Sequence, residues 1–145
     1  MNNEQNFLQY LDTQIQLEMR VSATSDGKRL TGLRNIKSDY TYAKSQKNAK
    51  DFADTIIQMY KSRLETSELY KNTNADLYVQ EMIESEILKE FLPKEVSKEE
   101  LFEYFLTLPI KRSKLSFKLY QEAAKEKFGY TPNSQLIFQF ITNCE

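Results

Sequence analysis

Pro93 is the residue that most limits how this chain can fold. It lies in the run Glu86-Ile87-Leu88-Lys89-Glu90-Phe91-Leu92-Pro93-Lys94-Glu95-Val96-Ser97-Lys98-Glu99-Glu100-Leu101. Ile87, Leu88 and Phe91 fall within about one helical turn and share an apolar face. Proline has no N–H to donate and disfavours the α region for the residue before it, so this helix stops near Leu92. Ser97 and Glu100 then stand at capping-box spacing, the serine hydroxyl accepting from the Glu100 N–H and the glutamate reaching back to the Ser97 N–H. The spacing predicts a corner between two helices, with the chain divided around it.

The rest of the chain also reads as helices. Three Gly and three Pro in 145 residues are too few for a strand-and-turn protein, and no segment alternates with period two. Phe7, Leu8, Leu11, Ile15 and Met19 predict a first helix over Glu4–Val21. Ser22–Gly27 is a turn-rich break in which Ser25 or Asp26 can cap the next helix. That second helix, Gly27–Ser45, carries Leu30, Leu33, Ile36, Tyr40 and Ala43, with Lys28, Arg29, Arg34 and Lys37 as a solvated basic face. Gly32 inside it costs about 1 kcal/mol relative to Ala and suits a close helix crossing. A third helix opens at Asn48 or Asp51 and runs to Tyr70, with Phe52, Ile56, Met59, Tyr60, Arg63 and Leu64 along its core stripe. A fourth covers Ala75–Phe91, with Leu77, Ile83, Ile87 and Phe91 inward. Beyond the corner come Lys98–Leu108, Lys114–Phe128 (Leu115, Leu119, Ala123 and Phe128) and a last helix opened by Thr131 as N-cap and Pro132 at N1. Leu136, Ile137, Phe140 and Ile141 are its buried set, and Gly129 ends the helix before it in the left-handed conformation. The expectation is an all-α protein: a bundle of about four helices over residues 1–95, then a three-helix subdomain over 96–145.

Several chemistries are excluded by what is missing. There is no His and only one Cys, Cys144, which removes zinc sites and Cys–His catalysis. Cys144 reads as an incidental thiol. Glu81, Glu84 and Glu86 suggest a carboxylate or metal cluster, but helical di-metal sites also use Glu-x-x-His, so these three are better read as an acidic solvated face. No Gly-rich phosphate loop or G-x-S-x-G is present. The expectation is therefore no catalytic residue, no metal and no cofactor. No apolar run approaches membrane-spanning length, and Met1–Asn6 lacks the basic and apolar regions of a secretory signal. This predicts a cytoplasmic location with no membrane partner.

The net charge of −1 rules out a polybasic protein as a whole, but the charge is unevenly spread. Residues 26–50 hold seven bases against two acids, residues 109–128 six against two, and residues 51–95 ten acids against five bases.

An acidic helix ending Ile-Leu-x-x-Phe-Leu-Pro, followed by Ser-x-Glu-Glu-Leu, resembles the centre of GatB/YqeY proteins. The run Arg29-Leu30-Thr31-Gly32-Leu33-Arg34-Asn35-Ile36-Lys37 is similar to that family's Arg-Leu…Leu-Arg…Ile-Lys pattern. Residues 60–101 form the longest tract of likeness. Lys125 or Lys127, Gly129 and Asn133 sit where the family carries Lys-x-x-Gly-x-Ala-(Asp/Asn). The chain departs from the family in a shorter connection before helix six, in Phe117-Lys118-Leu119-Tyr120 replacing a small, glycine-rich helix start, and in an aromatic-Thr-Pro turn replacing Gly-x-Ala.

The resemblance implies kinship with the C-terminal tail of the B subunit of tRNA-dependent Asp/Glu amidotransferase. That tail helps hold misacylated tRNA while kinase and amidase centres elsewhere act. It implies an accessory module that binds tRNA or an amidotransferase or tRNA-synthetase complex, any amidotransferase label being inherited by kinship. The nucleic-acid contacts expected are Lys111, Arg112, Lys114, Lys118, Lys125, Lys127, Gly129 and Asn133. They lie on a flexible basic connection after Pro109 and on the helix end at Thr131, whose free N–H groups suit a phosphate. The alternative is a protein-interaction or assembly module, chromosomal or phage-borne, using a surface rich in Tyr and Phe (nine of each). A stand-alone amide-transferring enzyme ranks last.

Overall fold

The computed structural model describes residues 3–21 and 27–142, which form helices and turns with no strand among them. The chain divides into two compact units, Met1–Leu92 and Pro93–Glu145. Ser25, Asp26 and Cys144 lie outside the described residues.

The first unit holds α1 (Asn3–Val21), α2 (Lys28–Ser45), α3 (Phe52–Tyr70) and α4 (Ala75–Lys89). Gly27, with φ 74°, occupies the N-cap of α2. Asp51 caps α3 by accepting from the Asp54 N–H at 3.1 Å, and Asn74 caps α4 by accepting from the Leu77 N–H at 3.1 Å. Helix α4 stops at Lys89, and Phe91 and Leu92 continue as turns bonded to the Leu88 and Lys89 carbonyls.

The core of this unit gathers Phe7, Leu11, Leu33, Ile36, Tyr40, Ile56, Met59, Ile87 and Leu88. Phe7 is its centre, with ring centroids of Tyr40, Phe52 and Phe91 at 5.1, 5.5 and 4.9 Å in edge-to-face contact. The Tyr40 hydroxyl donates to Glu4 at 2.6 Å. Burial, then that carboxylate, raises its pKa far above the ordinary tyrosine value. Two expected core residues are instead exposed, Met19 and Leu77. They fall in the end turns of their helices, and Leu77 lines a cleft with residues of α2 and α3.

Gly32 is buried where α2 crosses α4. A methyl group there would stand 3.1 Å from Glu84 Cγ and 3.2 Å from Gln80 Nε2. The glycine that weakens α2 locally is what allows the approach.

The second unit holds α5 (Lys98–Leu106), a 3₁₀ turn (Lys114–Ser116), α6 (Phe117–Phe128) and α7 (Ser134–Thr142). Ser97 caps α5, its hydroxyl accepting from the Glu100 N–H at 3.1 Å, but the expected return bond from the Ser97 N–H to the Glu100 carboxylate is absent among the described residues, so only half of the capping box forms. Gly129 ends α6 at φ 82°, its N–H donating to the Lys125 carbonyl at 2.8 Å. Leu101, Phe105, Tyr120, Ala124, Ile137, Phe140 and Ile141 form the core.

Two expectations fail in this unit. Leu115 and Leu119 are exposed and Tyr120 and Ala124 are buried in their place. The 3₁₀ turn takes Leu115 out of the α6 spacing, and within α6 the face that packs on the core is Phe117, Tyr120, Ala124 and Phe128. The last helix begins at Ser134 and not at Pro132. Asn133 caps it, its side-chain oxygen accepting from the Gln135 N–H at 2.8 Å.

Candidate functional site

The connection from α5 to α6 carries the basic run. It is tethered where the sequence suggested a flexible link. The Tyr120 hydroxyl donates to the Ile110 carbonyl at 2.8 Å. The Ser113 N–H donates to Ser116 Oγ at 3.0 Å, and the Ser116 hydroxyl donates back to the Ser113 carbonyl at 2.7 Å. Between these ties Arg112 lays its guanidinium over the Phe140 ring, 3.9 Å from the centroid, a cation–π contact against the unit's core. Lys111, Lys114 and Lys118 are exposed, with no acidic partner among the described residues. Lys127 is exposed with its ammonium 5.8 Å from the Tyr104 ring centroid, and Lys125 is half-buried.

The eight candidate residues therefore do different work. Lys111, Lys114 and Lys118 present open charge within eight residues of chain. Gly129 and Asn133 are the caps of α6 and α7. The helix end expected at Thr131 lies at Asn133–Ser134, where the capping carboxamide already takes one of the N–H groups that would have met a phosphate.

A second arrangement, in the first unit, has no counterpart in the sequence reading. Arg63 and Glu84 are both buried, and the guanidinium Nε donates to Glu84 Oε1 at 3.3 Å. A second nitrogen of Arg63 donates to Asp39. The other Glu84 oxygen accepts from Asn35 and from Gln80, each at 3.1 Å, and Gln80 also donates to the Lys28 carbonyl at 3.0 Å. These residues line a cleft of about 370 Å³ with Ser62, Thr66 and Glu81. Glu81 holds its proton more tightly than an ordinary glutamate because it is partly desolvated and then because Glu84 repels its charge, with Arg63 opposing.

The expected acidic solvated face thus holds for the exposed Glu86 and fails for Glu84. The signal was present. Arg63 lay in the core stripe of α3, and Glu84 shares the inward side of α4 with Ile87 and Leu88. A cation at a core position requires a buried counter-charge. The basic face expected on α2 is likewise partly neutralised: Lys28, Arg29 and Lys37 pair with Asp76, Glu18 and Asp12 at 3.5, 3.2 and 2.6 Å. Among the described residues no group of His, Cys, Asp and Glu could hold a metal ion, and no helix is long and apolar enough to cross a membrane.

The model of the YqeY-like protein family matches residues 11–126. The chain belongs to the YqeY-like family. The matched span takes in both the Arg63–Glu84 cleft and the basic run from Lys111 to Lys125. It ends before Lys127, Gly129 and Asn133, so these three YqeY-like candidates rest on local likeness alone. No curated protein matches the chain.

Proposed function

We propose that this YqeY-like chain is an accessory module that binds tRNA, alone or within an amidotransferase-type complex, and has no catalytic centre of its own. In this reading α1–α4 are the N-terminal bundle and α5–α7 the subdomain similar to the amidotransferase tail. The observation that carries it is the open charge of Lys111, Lys114 and Lys118 on a tethered connection within the matched span. A tethered cation loses less freedom on meeting a phosphate than one on a loose loop. Lys125 and Lys127 extend the surface, while Arg112 supports it from beneath. A tRNA ligand also implies a cytoplasmic location.

The test is fluorescence anisotropy with tRNA over a salt series. Changing Lys111, Lys114 and Lys118 together to Ala is expected to weaken binding and to flatten the salt slope by about 0.7 to 0.9 per lost contact. Arg112 is left intact because its removal would disturb the core at Phe140. Equal affinity and slope would remove this surface from the site. Absence of tRNA binding by the wild type would favour a protein partner, a second reading supported by Leu115, 94% exposed, and Phe138, 51% exposed, in the same unit.

A further inference from the structure

The first unit carries an open groove of about 580 Å³ lined by Ile15 of α1 and by Arg34, Lys37, Ser38, Thr41, Tyr42 and Ser45 of α2. Its volume is in the usual range for ligand sites. Arg34, Ser38, Thr41 and Ser45 follow helical spacing along one line of α2, about 16 Å from end to end at 1.5 Å rise per residue. This line faces away from the α2 core set of Leu33, Ile36 and Tyr40.

The polar groups of the groove are unequally engaged. Lys37 is neutralised by Asp12 at 2.6 Å. The Thr41 and Ser45 hydroxyls donate to carbonyls within α2, at 2.8 and 2.7 Å. Arg34 and the Ser38 hydroxyl have no partner among the described residues, so both remain available as donors. Tyr42, 69% exposed, lies one turn along α2 from Ser38 and about two turns from Arg34. Its ring packs on no other ring among the described residues, unlike Tyr10, Tyr40, Phe52 and Phe91 around Phe7.

We infer that this groove takes a single-stranded RNA segment, with an unpaired base stacked on Tyr42 and a backbone phosphate held by Arg34 and Ser38. The inference rests on the RNA reading above and adds a second contact surface to it. An open aromatic face and an unpaired guanidinium along one groove are the combination that binds single strands without reading sequence, because every base has a π-face and every linkage a charge. Thr41, with its hydroxyl hydrogen already committed, offers acceptor lone pairs that suit a ribose 2′-hydroxyl, whereas the Ser45 oxygen already accepts from Gln46 Nε2 at 3.3 Å.

The chain has no tryptophan, so Tyr42→Trp creates a unique fluorophore at the proposed stacking position while keeping an aromatic face. The experiment titrates this variant with an unstructured single-stranded RNA of about ten nucleotides, longer than the groove so that it can be spanned whole. A blunt RNA duplex of equal charge is the control, and anisotropy with tRNA is read on the same preparation. Stacking is expected to quench the tryptophan with the single strand and not with the duplex. Arg34→Ala in the same background is expected to weaken the quenching titration severalfold and to lower its salt slope by about 0.7. In the otherwise natural chain, Tyr42→Ala should weaken single-strand binding by about fivefold to a hundredfold, the usual worth of one stacked base.

Tryptophan emission unmoved by the single strand, or quenching equal for the duplex or insensitive to Arg34→Ala, would overturn the groove. The tRNA signal separates the two readings. tRNA binding with a silent tryptophan overturns the groove and leaves the lysine surface standing. Quenching by the single strand in a protein that does not hold tRNA overturns the tRNA reading and supports the groove. Silence in both overturns both.

Discussion

Arg63 stands between two carboxylates that differ sharply in their contact with water, and that difference sets unequal costs for removing them. The side chains of Arg63 and Glu84 are 9% and 4% exposed, whereas Asp39 is 54% exposed. An exposed ion pair contributes about 0–1 kcal/mol, so Asp39→Ala should cost no more than that. Glu84→Ala leaves the guanidinium buried with only Asp39 for company. Breaking a buried pair from one side costs about 3–5 kcal/mol, a large share of the roughly 5–15 kcal/mol that holds a domain folded. Glu84→Gln, which keeps the shape and part of the hydrogen bonding, should fall between the two. Replacing both partners with linear apolar side chains, Arg63→Met with Glu84→Met, removes both charges together and should return stability to within about 1–2 kcal/mol of the natural chain. The assay is urea unfolding followed by far-ultraviolet circular dichroism on Asp39→Ala, Glu84→Ala, Glu84→Gln, the single variants Arg63→Met and Glu84→Met, and the double variant that combines these last two. The reasoning fails if Asp39→Ala costs as much as Glu84→Ala, or if the double variant loses the sum of the two single losses.

Three further outcomes follow from the same geometry. Glu81 has a pKa above its ordinary 4.5, so the folded state binds its proton more tightly than the unfolded state and stability falls as pH rises from that value through the raised one. Glu81→Gln should flatten this segment of a melting-temperature profile, which no histidine complicates; an unchanged profile would contradict it. Ser97→Ala should cost about 1 kcal/mol through loss of the bond from the Glu100 N–H, measured by thermal or urea unfolding of the whole chain. Gly32→Ala gains about 1 kcal/mol of helix propensity but sets a methyl 3.1 Å from Glu84 Cγ, where overpacking costs about 1–3 kcal/mol. The net effect should be a lower melting temperature, and a raised one would show that α4 gives way.

The helices were legible where one-dimensional periodicity decides them. The Phe7–Leu11 stripe, the stop before Pro93, the Ser97 cap and the left-handed Gly129 each depend on a few adjacent residues, and each is found as expected. The phase of α6 was not legible, because the 3₁₀ turn at Lys114–Ser116 breaks the spacing that begins at Leu115, and the choice of the Tyr120–Ala124 face over Leu119–Ala123 is made by core packing with α5 and α7. The start of α7 went the same way. Thr131-Pro132 has good capping chemistry, but Asn133 captures the Gln135 N–H one step later. Most of the Arg63–Glu84 cleft was hidden because its partners come from three helices, with Arg63 and Glu84 separated by 21 positions. Charge alone could not tell a surface glutamate from one that a buried arginine requires.

The pairing of Arg63 with Glu84 also bears on which packings the chain can choose while it folds. α3 and α4 are joined by the short turn Lys71–Asn74, and their apolar residues recur every three or four positions. Apolar matching alone would tolerate one helix sliding along the other by a turn, about 5.4 Å. Such a slide would part Arg63 from Glu84 and strand two opposite charges in a dry interior. It would also carry Glu84 away from Gly32, the place on α2 that has room for its stem. The charge pair and the glycine therefore discriminate among near-equivalent alignments that oily contacts cannot tell apart. In this sense the polar cluster is a proofreading device for the hairpin, and the Arg63→Met, Glu84→Met variant, though stable, is the one expected to show more than one α3–α4 alignment in its amide spectra.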